Sequence, residues 1–266
     1  IKAELVEASD KYLRKAKFLD IIGNINEPES ILALTIVEFN LTDEFSDEVQ
    51  SQASDTTPIS KTPREDLTQI PLITIDGADA KDFDDAVFAE PSSNGGWRLI
   101  IAIADVSHYV RQNTELDAEA QRRGNSVYLP SKVLPMLPES LSNGLCSLKP
   151  NEDRACLAVE IFLDKNGNKK SHRFIRGKLR SAARLTYDEV QSVYEGLFDE
   201  KQLKLDNGTL HHLFAVYQCR KKLRHIRGTL ELHFKERSIK FSENNHPLEI
   251  EIRQQKEANE LIEEFM

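Results

Sequence analysis

L-I-T-I-D-G-A-D-A-K-D-F-D-D-A-V, residues 72–87, decides how this chain is read. Five aspartates, Asp76, Asp79, Asp82, Asp84 and Asp85, follow directly on the apolar run Leu72 to Ile75. Such a run predicts a buried strand over Pro71 to Asp76. Its side chains alternate, so Leu72, Thr74 and Asp76 share one face and Asp76 emerges at the strand's end. Gly77 then lets the chain turn. In extended backbone Asp82 and Asp84 point the same way, and Asp85 needs a bend to join them. Carboxylates packed this tightly repel one another and resist ionisation unless a cation joins them. Carboxylate oxygens are also the hard ligands that Mg²⁺ prefers, with water and substrate phosphate completing its octahedron. The cluster therefore points to a Mg²⁺-dependent phosphoryl-transfer site.

The bland alternative is a solvated acidic loop, since aspartates usually face water. Ile73, Ile75, Phe83, Ala86 and Val87 interleave with the acids and argue against it. An EF-hand fails as well: counted from Asp76, Ala78 and Ala80 stand where oxygen ligands belong, and Val87 stands at the closing Glu. The residues alone name no substrate.

Outward from the cluster, Trp97 to Val106 is a near-continuous apolar run, read as a strand buried on both faces. It ends beside Asp105, which either braces the aspartates or hydrogen-bonds the following turn. Cys156 to Leu163 reads as another buried strand, and Asp117 to Arg123 as a short helix. Pro135 to Pro138 is expected to be extended and packed. Thr186-Tyr187-Asp188-Glu189 fits a capping box that opens a helix to about Phe198. A longer helix, about Thr209 to Ile226, carries Leu210, Leu213, Phe214, Tyr217 and Leu223 at helical spacing and stops at Gly228. Its aromatics are read as core. Glu231 to Ile252 alternates as short antiparallel strands would, and Lys256 to Met266 reads as an amphipathic helix. The mixture gives an α+β class.

Composition narrows the function. The net charge of −9 argues against a general nucleic-acid binder. No apolar stretch reaches the roughly 18 to 20 residues that span a bilayer, so no membrane partner is expected. Cys146, Cys156 and Cys219 lack metal-ligand spacing and fit free thiols in a reducing cytoplasm. His211-His212 is placed on a helix surface without a ligand role. Two basic stretches stand out, Lys165 to Arg184 and Arg220 to Gly228. They are either phosphate-contacting surfaces or, for the first, a hairpin turning at Asn166-Gly167 with solvated lysines. Arg173, Arg180 and Arg184 are the ones expected to line a channel.

The motif I-D-G-A-D-A-K-D-F-D-D-A-V resembles the signature of the ribonuclease II/ribonuclease R family, exoribonucleases built on an RNB catalytic domain. The likeness continues through I-A-I-A-D-V-S-H-Y-V (101–110), R-G-N-S-V-Y-L-P (123–130), L-P-M-L-P-E-S-L-S-N-G-L-C-S-L-K-P (134–150), R-L-T-Y-D-E-V (184–190) and E-A-N-E-L-I-E-E-F-M (257–266). Its wording is nearer the ribonuclease R branch. The resemblance implies that Asp76, Asp82, Asp84 and Asp85 hold Mg²⁺ at the scissile phosphate, with Asp84 and then Asp82 the most sensitive for chemistry. Asp79 is unmatched and read as a turn residue. Tyr128 matches a tyrosine that packs on the nucleotide at the RNA 3′ end; taken alone it reads as a half-buried aromatic beside a proline turn. The reaction implied is metal-assisted hydrolysis that releases 5′-monophosphates one at a time from single-stranded RNA.

Phe18 to Ile22 and Ile31 to Phe39 read as strands among turn signals, so residues 1–40 look like the end of a small β-barrel. There the family resemblance implies the tail of a cold-shock OB-type barrel. Residues 41–66, polar and acidic, read as a linker, and 67–266 as the N-terminal part of an RNB domain. The chain is expected to be an internal piece of a larger, monomeric, cytoplasmic protein. The family's further arginines, glutamate and C-terminal RNA-gripping barrel would then lie outside it. Three functions remain open. They are the exoribonuclease, a catalytically incomplete RNA-binding piece of one, and an unrelated Mg²⁺ phosphohydrolase of small esters.

Overall fold

The runs read as strands assemble into one mixed sheet in the computed structural model of the chain, which describes residues 1–6, 15–24, 26–54, 59, 63–93, 95–205, 208–230, 237–242, 246–252 and 254–266. In chain order the elements are β1 (Lys2–Val6), β2 (Lys15–Asp20), α1 (Pro28–Glu38), α2 (Asp47–Ser54), β3 (Glu65–Asp66), β4 (Ile73–Asp76), β5 (Asp85–Pro91) and β6 (Trp97–Ala104). Then come α3 (Glu115–Arg123), β7 (Val127–Leu129), β8 (Lys132–Leu134), β9 (Asp153–Leu163), β10 (Lys169–Arg180) and β11 (Ala183–Thr186). The last are α4 (Tyr187–Tyr194), α5 (Thr209–Arg227), β12 (Arg237–Phe241), β13 (Pro247–Ile252) and α6 (Glu257–Phe265). They divide between two units, and the class is α+β.

The larger unit takes Asp47–Arg122, Leu137–Phe234 and Gln254–Met266. Its sheet runs β11-β4-β5-β6-β9-β10-β3. The outer pairs, β11 with β4 and β10 with β3, are parallel and the inner ones antiparallel. Ile73, Ile75, Val87, Leu99 and Ile101 meet Leu210, Leu213, Phe214 and Tyr217 of α5 and Leu261, Ile262 and Phe265 of α6 in one core. Full burial of each such side chain contributes about 1.5–3 kcal/mol. The expected capping box is present: Thr186 Oγ1 accepts from the Glu189 amide at 3.2 Å, and Glu189 Oε2 accepts from the Thr186 amide at 2.7 Å. That helix ends at Tyr194, short of Phe198, because Gly196 takes a left-handed φ of 73° and the Leu197 amide turns back to Ser192 O. Gly228 stops α5 in the same way, at φ 76°.

The smaller unit takes Ile1–Ser46, Arg123–Met136 and Lys235–Arg253. It holds three antiparallel pairs, β1–β2, β7–β8 and β12–β13. Arg123 ties its parts together, donating to the carbonyls of Thr42, Glu44 and Pro135 and lying over the Phe45 ring. Ile31 to Phe39, expected as a strand, is helical. A largely apolar run, broken only by Thr35 and Glu38, does not separate the two periods. Pro28 in the first turn with acidic Glu29 tips it toward helix. The segment expected as a linker contains α2, which buries Val49 and Ala53 one turn apart; Gln52 Oε1 accepts from the Leu116 amide at 2.9 Å.

Asp105 stands at the end of β6 and braces no aspartate of the cluster. It accepts from Arg64 Nη2 at 2.6 Å, with the two side chains 0% and 3% exposed, and from Ser107 Oγ at 2.6 Å. Burial pushes its carboxyl up. The bonds from Ser107 and Arg64 and the charges of Arg64 and Arg176 outweigh that and hold it below its usual range. Replacing Asp105 by Ala removes the carboxylate from the buried Arg64 guanidinium, which keeps its bond to the Gly177 carbonyl but loses its counter-charge. The expected loss is about 3–5 kcal/mol in urea unfolding; a loss below about 1 kcal/mol would show that the pair is dispensable.

Candidate active site

Strand β4 carries Asp76 out at its last position, and β5 begins on Asp85, so the sheet presents both ends of the acidic loop at one edge of the same layer. Asp76 pairs in register with Thr186 of β11, and Asp85 with Ile103 of β6. Between them the loop is held by its main chain. The Ala104 amide donates to Asp84 O at 2.8 Å, and the Leu148 amide to Phe83 O at 2.7 Å. Ser147 Oγ accepts from the Phe83 amide at 3.1 Å and donates to Lys81 O at 2.9 Å. Thus the C-S-L-K-P motif, whose role the sequence left open, latches the aspartate loop. Gly77 takes no left-handed φ, and a Cβ there would meet nothing within 4 Å, so the turn does not require glycine. The Ala80 amide closes it on Gly77 O at 3.2 Å, and exposed Asp79 sits in it as a turn residue.

Asp76, Asp82 and Asp85 are half-buried, while Asp84 reaches solvent. Asp76 and Asp85 each leave an Oδ2 buried without a hydrogen-bond donor. Burial first, then the charges of Asp85 and Asp84, push Asp76 up to about 7; the charge of Arg184 opposes this. Burial and the charge of Asp84 raise Asp85 to about 6. Asp84 is raised by burial and by Asp82, against a bond from its own amide. Tyr187, which no sequence signal singled out, faces the same charges: burial, Asp85 and Asp76 push its hydroxyl up to about 12. These are the properties of a carboxylate set that lacks a counter-charge. The donor set fits a hard divalent cation in its chemistry. As the side chains stand, no three His, Cys, Asp or Glu groups among the described residues converge as a ligand set.

Of the other expected site residues, Tyr128 lies on β7 of the smaller unit, 68% exposed and not the half-buried aromatic its sequence context suggests. Arg184 Nη2 donates to Gly77 O at 2.5 Å and Ala78 O at 3.0 Å. The two basic stretches are largely engaged within the protein. Arg173 binds Glu65 and Glu160, Arg180 binds Asp153 and Arg176 binds Asp105. On α5, Arg220 and Arg224 face Glu264, and Lys221 faces Glu257 and Glu260.

Residues 64–266 match the model of the RNB domain. The chain belongs to the RNB domain family. It is 39% identical to the ribonuclease R of Vibrio parahaemolyticus over 98% of its own length and 32% of that protein's. The chain thus spans about a third of the length of that curated relative. Among solved structures it resembles Mycoplasma genitalium RNase R in complex with double-stranded RNA, with TM-score 0.91, 31% identity, and 99% of this chain and 48% of that one covered. It also resembles the same enzyme in complex with ribose-methylated single-stranded RNA, with TM-score 0.88, 31% identity and 95% and 40% covered. The RNB domain match ends on α6, whose residue Glu263 adds its charge to the field at Tyr187.

In EDTA the raised carboxyls make stability fall with pH. Their protonated forms fit the fold, so this contribution is complete below the ordinary value of 3.8 and is lost as pH rises through about 6 for Asp85 and about 7 for Asp76. Melting temperatures taken from pH 4 to pH 8 should decline over that window. Asp76→Asn, neutral throughout, should flatten the decline; an unchanged slope in the variant would assign it to other groups.

Proposed function

We propose that this chain is the N-terminal part of the catalytic domain of a Mg²⁺-dependent exoribonuclease that shortens RNA from its 3′ end and releases nucleoside 5′-monophosphates. The observation that carries the reading is the aspartate set: two buried carboxylate oxygens without donors, in carboxyls forced up by burial and by one another, on a loop fastened through its main chain. Asp76, Asp82, Asp84 and Asp85 would hold Mg²⁺. A bound Mg²⁺ supplies charge for the scissile phosphate and a lowered pKa for an attacking water. The protein's own contribution is to fasten the loop that carries the four aspartates to the sheet through main-chain bonds before the substrate arrives. Tyr128, with its ring exposed, offers a face for a terminal base, and stacking of this kind contributes about 1–3 kcal/mol. The relatives named ribonuclease R, and the solved neighbours with single- and double-stranded RNA, support RNA as the substrate.

Residues 1–40 we read as the tail of a cold-shock type barrel, in keeping with a structural match to RNase R that extends over 99% of this chain. The protein acts as a monomer in the cytoplasm on this reading; no described helix is long and apolar enough to cross a membrane.

A second reading, a piece that binds Mg²⁺ and RNA without turnover, is favoured by the engaged arginines, which leave few cations for phosphate. A denaturing-gel time course on 5′-labelled single-stranded RNA decides between them. With Mg²⁺ the exonuclease should give a ladder receding from the 3′ end, EDTA should stop it, and Asp84→Asn should slow it by about two to three orders of magnitude. Retained RNA binding without any ladder would establish the second reading.

A further inference from the structure

Arg184 touches the aspartate loop at both ends. Strand β11 lies parallel to β4 and sets Arg184 opposite Thr74, two positions before Asp76. From there its Nη2 bonds the carbonyls of Gly77 and Ala78, directly after the first aspartate. Its guanidinium carbon also lies 5.2 Å from the ring centroid of Phe83, between Asp82 and Asp84. The charge faces Asp76. The Nη2 donors, committed to two main-chain carbonyls, are not available to an incoming phosphate. Its planar fork can bond two carbonyls and lie on a ring at once, which a lysine ammonium does not reproduce.

We propose that Arg184 is a positioning residue that braces the loop from Gly77 to Phe83, so that the carboxylates on its two sides meet one cation, and that it is not an RNA-phosphate ligand. This rests on the reading of the aspartates as a cation site. It assigns the cohesion of the loop to a side chain 107 residues further along the chain. The Nε of Arg184, buried and without an acceptor, is the cost of that pose, offset where Nη2 gains two carbonyl partners.

The test compares the wild-type chain with Arg184→Lys and Arg184→Met by amide hydrogen exchange and by Mg²⁺ titration. The Ala80 amide, bonded to Gly77 O, and the Phe83 amide, bonded to Ser147 Oγ, report on the loop. Both should exchange about tenfold faster or more in the variants, while amides of β6 stay protected and show that the sheet is intact. Mg²⁺ affinity should fall by about 10- to 100-fold, as for other groups that orient metal ligands. If the Met variant does not fold, the Lys variant, which keeps the apolar stem, gives the same comparison. With RNA, kcat should fall while KM holds.

Unchanged exchange at Ala80 and Phe83 overturns the brace. So does faster exchange with full Mg²⁺ affinity, because the loop would then not govern the ligands. A raised KM with a shallower salt dependence, and Mg²⁺ affinity intact, would make Arg184 a phosphate contact. A wild-type chain that takes up no Mg²⁺ while the variants loosen the loop would overturn the cation reading and leave the brace standing.

Discussion

Like charges do not gather of their own accord, and the region around residues 76–85 is organised by that constraint. The side chains of Asp76, Asp84 and Asp85 oppose one another, so the force that assembles them has to come from the backbone. It comes from four directions: the β11 register at Asp76, the β6 register at Asp85, the amides of Ala104 and Leu148, and the hydroxyl of Ser147. Each anchor is a bond to the main chain of that region, inside or beside a buried sheet, where its loss would leave a polar group unsatisfied. The core beneath, where α5 and α6 close on β4, β5 and β6, keeps that frame stiff. Stability is concentrated next to a place where electrostatics works against it.

The same economy governs the positive charges. Outside the aspartate loop, arginines and acids on adjacent strands lie in register: Arg173 stands opposite Glu160, and Arg180 opposite Asp153. Their ion pairs cross the β9–β10 hairpin and reach β3 through Glu65. Partly exposed pairs of this sort contribute little each. Their effect is to neutralise a stretch that, counted by residue type, looks like a nucleic-acid surface. A charge tally along the chain and a charge map in space therefore give opposite impressions of β10.

What the sequence made legible follows from this. Local signals were read well: the buried strand before Asp76, the strand from Trp97, the capping box at Thr186, the hairpin turn at Gly167 and the stop at Gly228 all depend on neighbours within a few residues. The acidic cluster was legible because its density is chemically abnormal. Ile31 to Phe39 reads as a strand because its apolar residues, broken only by Thr35 and Glu38, show neither period clearly, and α2 is hard to see because its apolar stripe is only Val49 and Ala53. Ser147, Tyr187, the partners of Arg64 and Arg184, and Glu65 as a partner of Arg173 are illegible for one shared reason. Each meets its partner across a large sequence separation fixed by strand order, which no window of residues contains. Tyr128 was placed by resemblance, and its exposure could not have been inferred from S-V-Y-L-P.

The parallel seating of β11 against β4 also has a consequence in time. Strand β4 is among the first strands of its unit to be made, yet its outer edge is closed by a strand whose Arg184 lies 107 residues beyond Gly77. At ribosomal rates of about 5–20 residues per second, that edge waits roughly 5 to 20 seconds for its neighbour. During that interval β4 is an open strand edge whose one charged residue is Asp76 at its end, and charged side chains are among the features that keep such edges from pairing with one another. Asp76, closing an otherwise uncharged strand, is the residue of that edge whose charge opposes such pairing until β11 arrives.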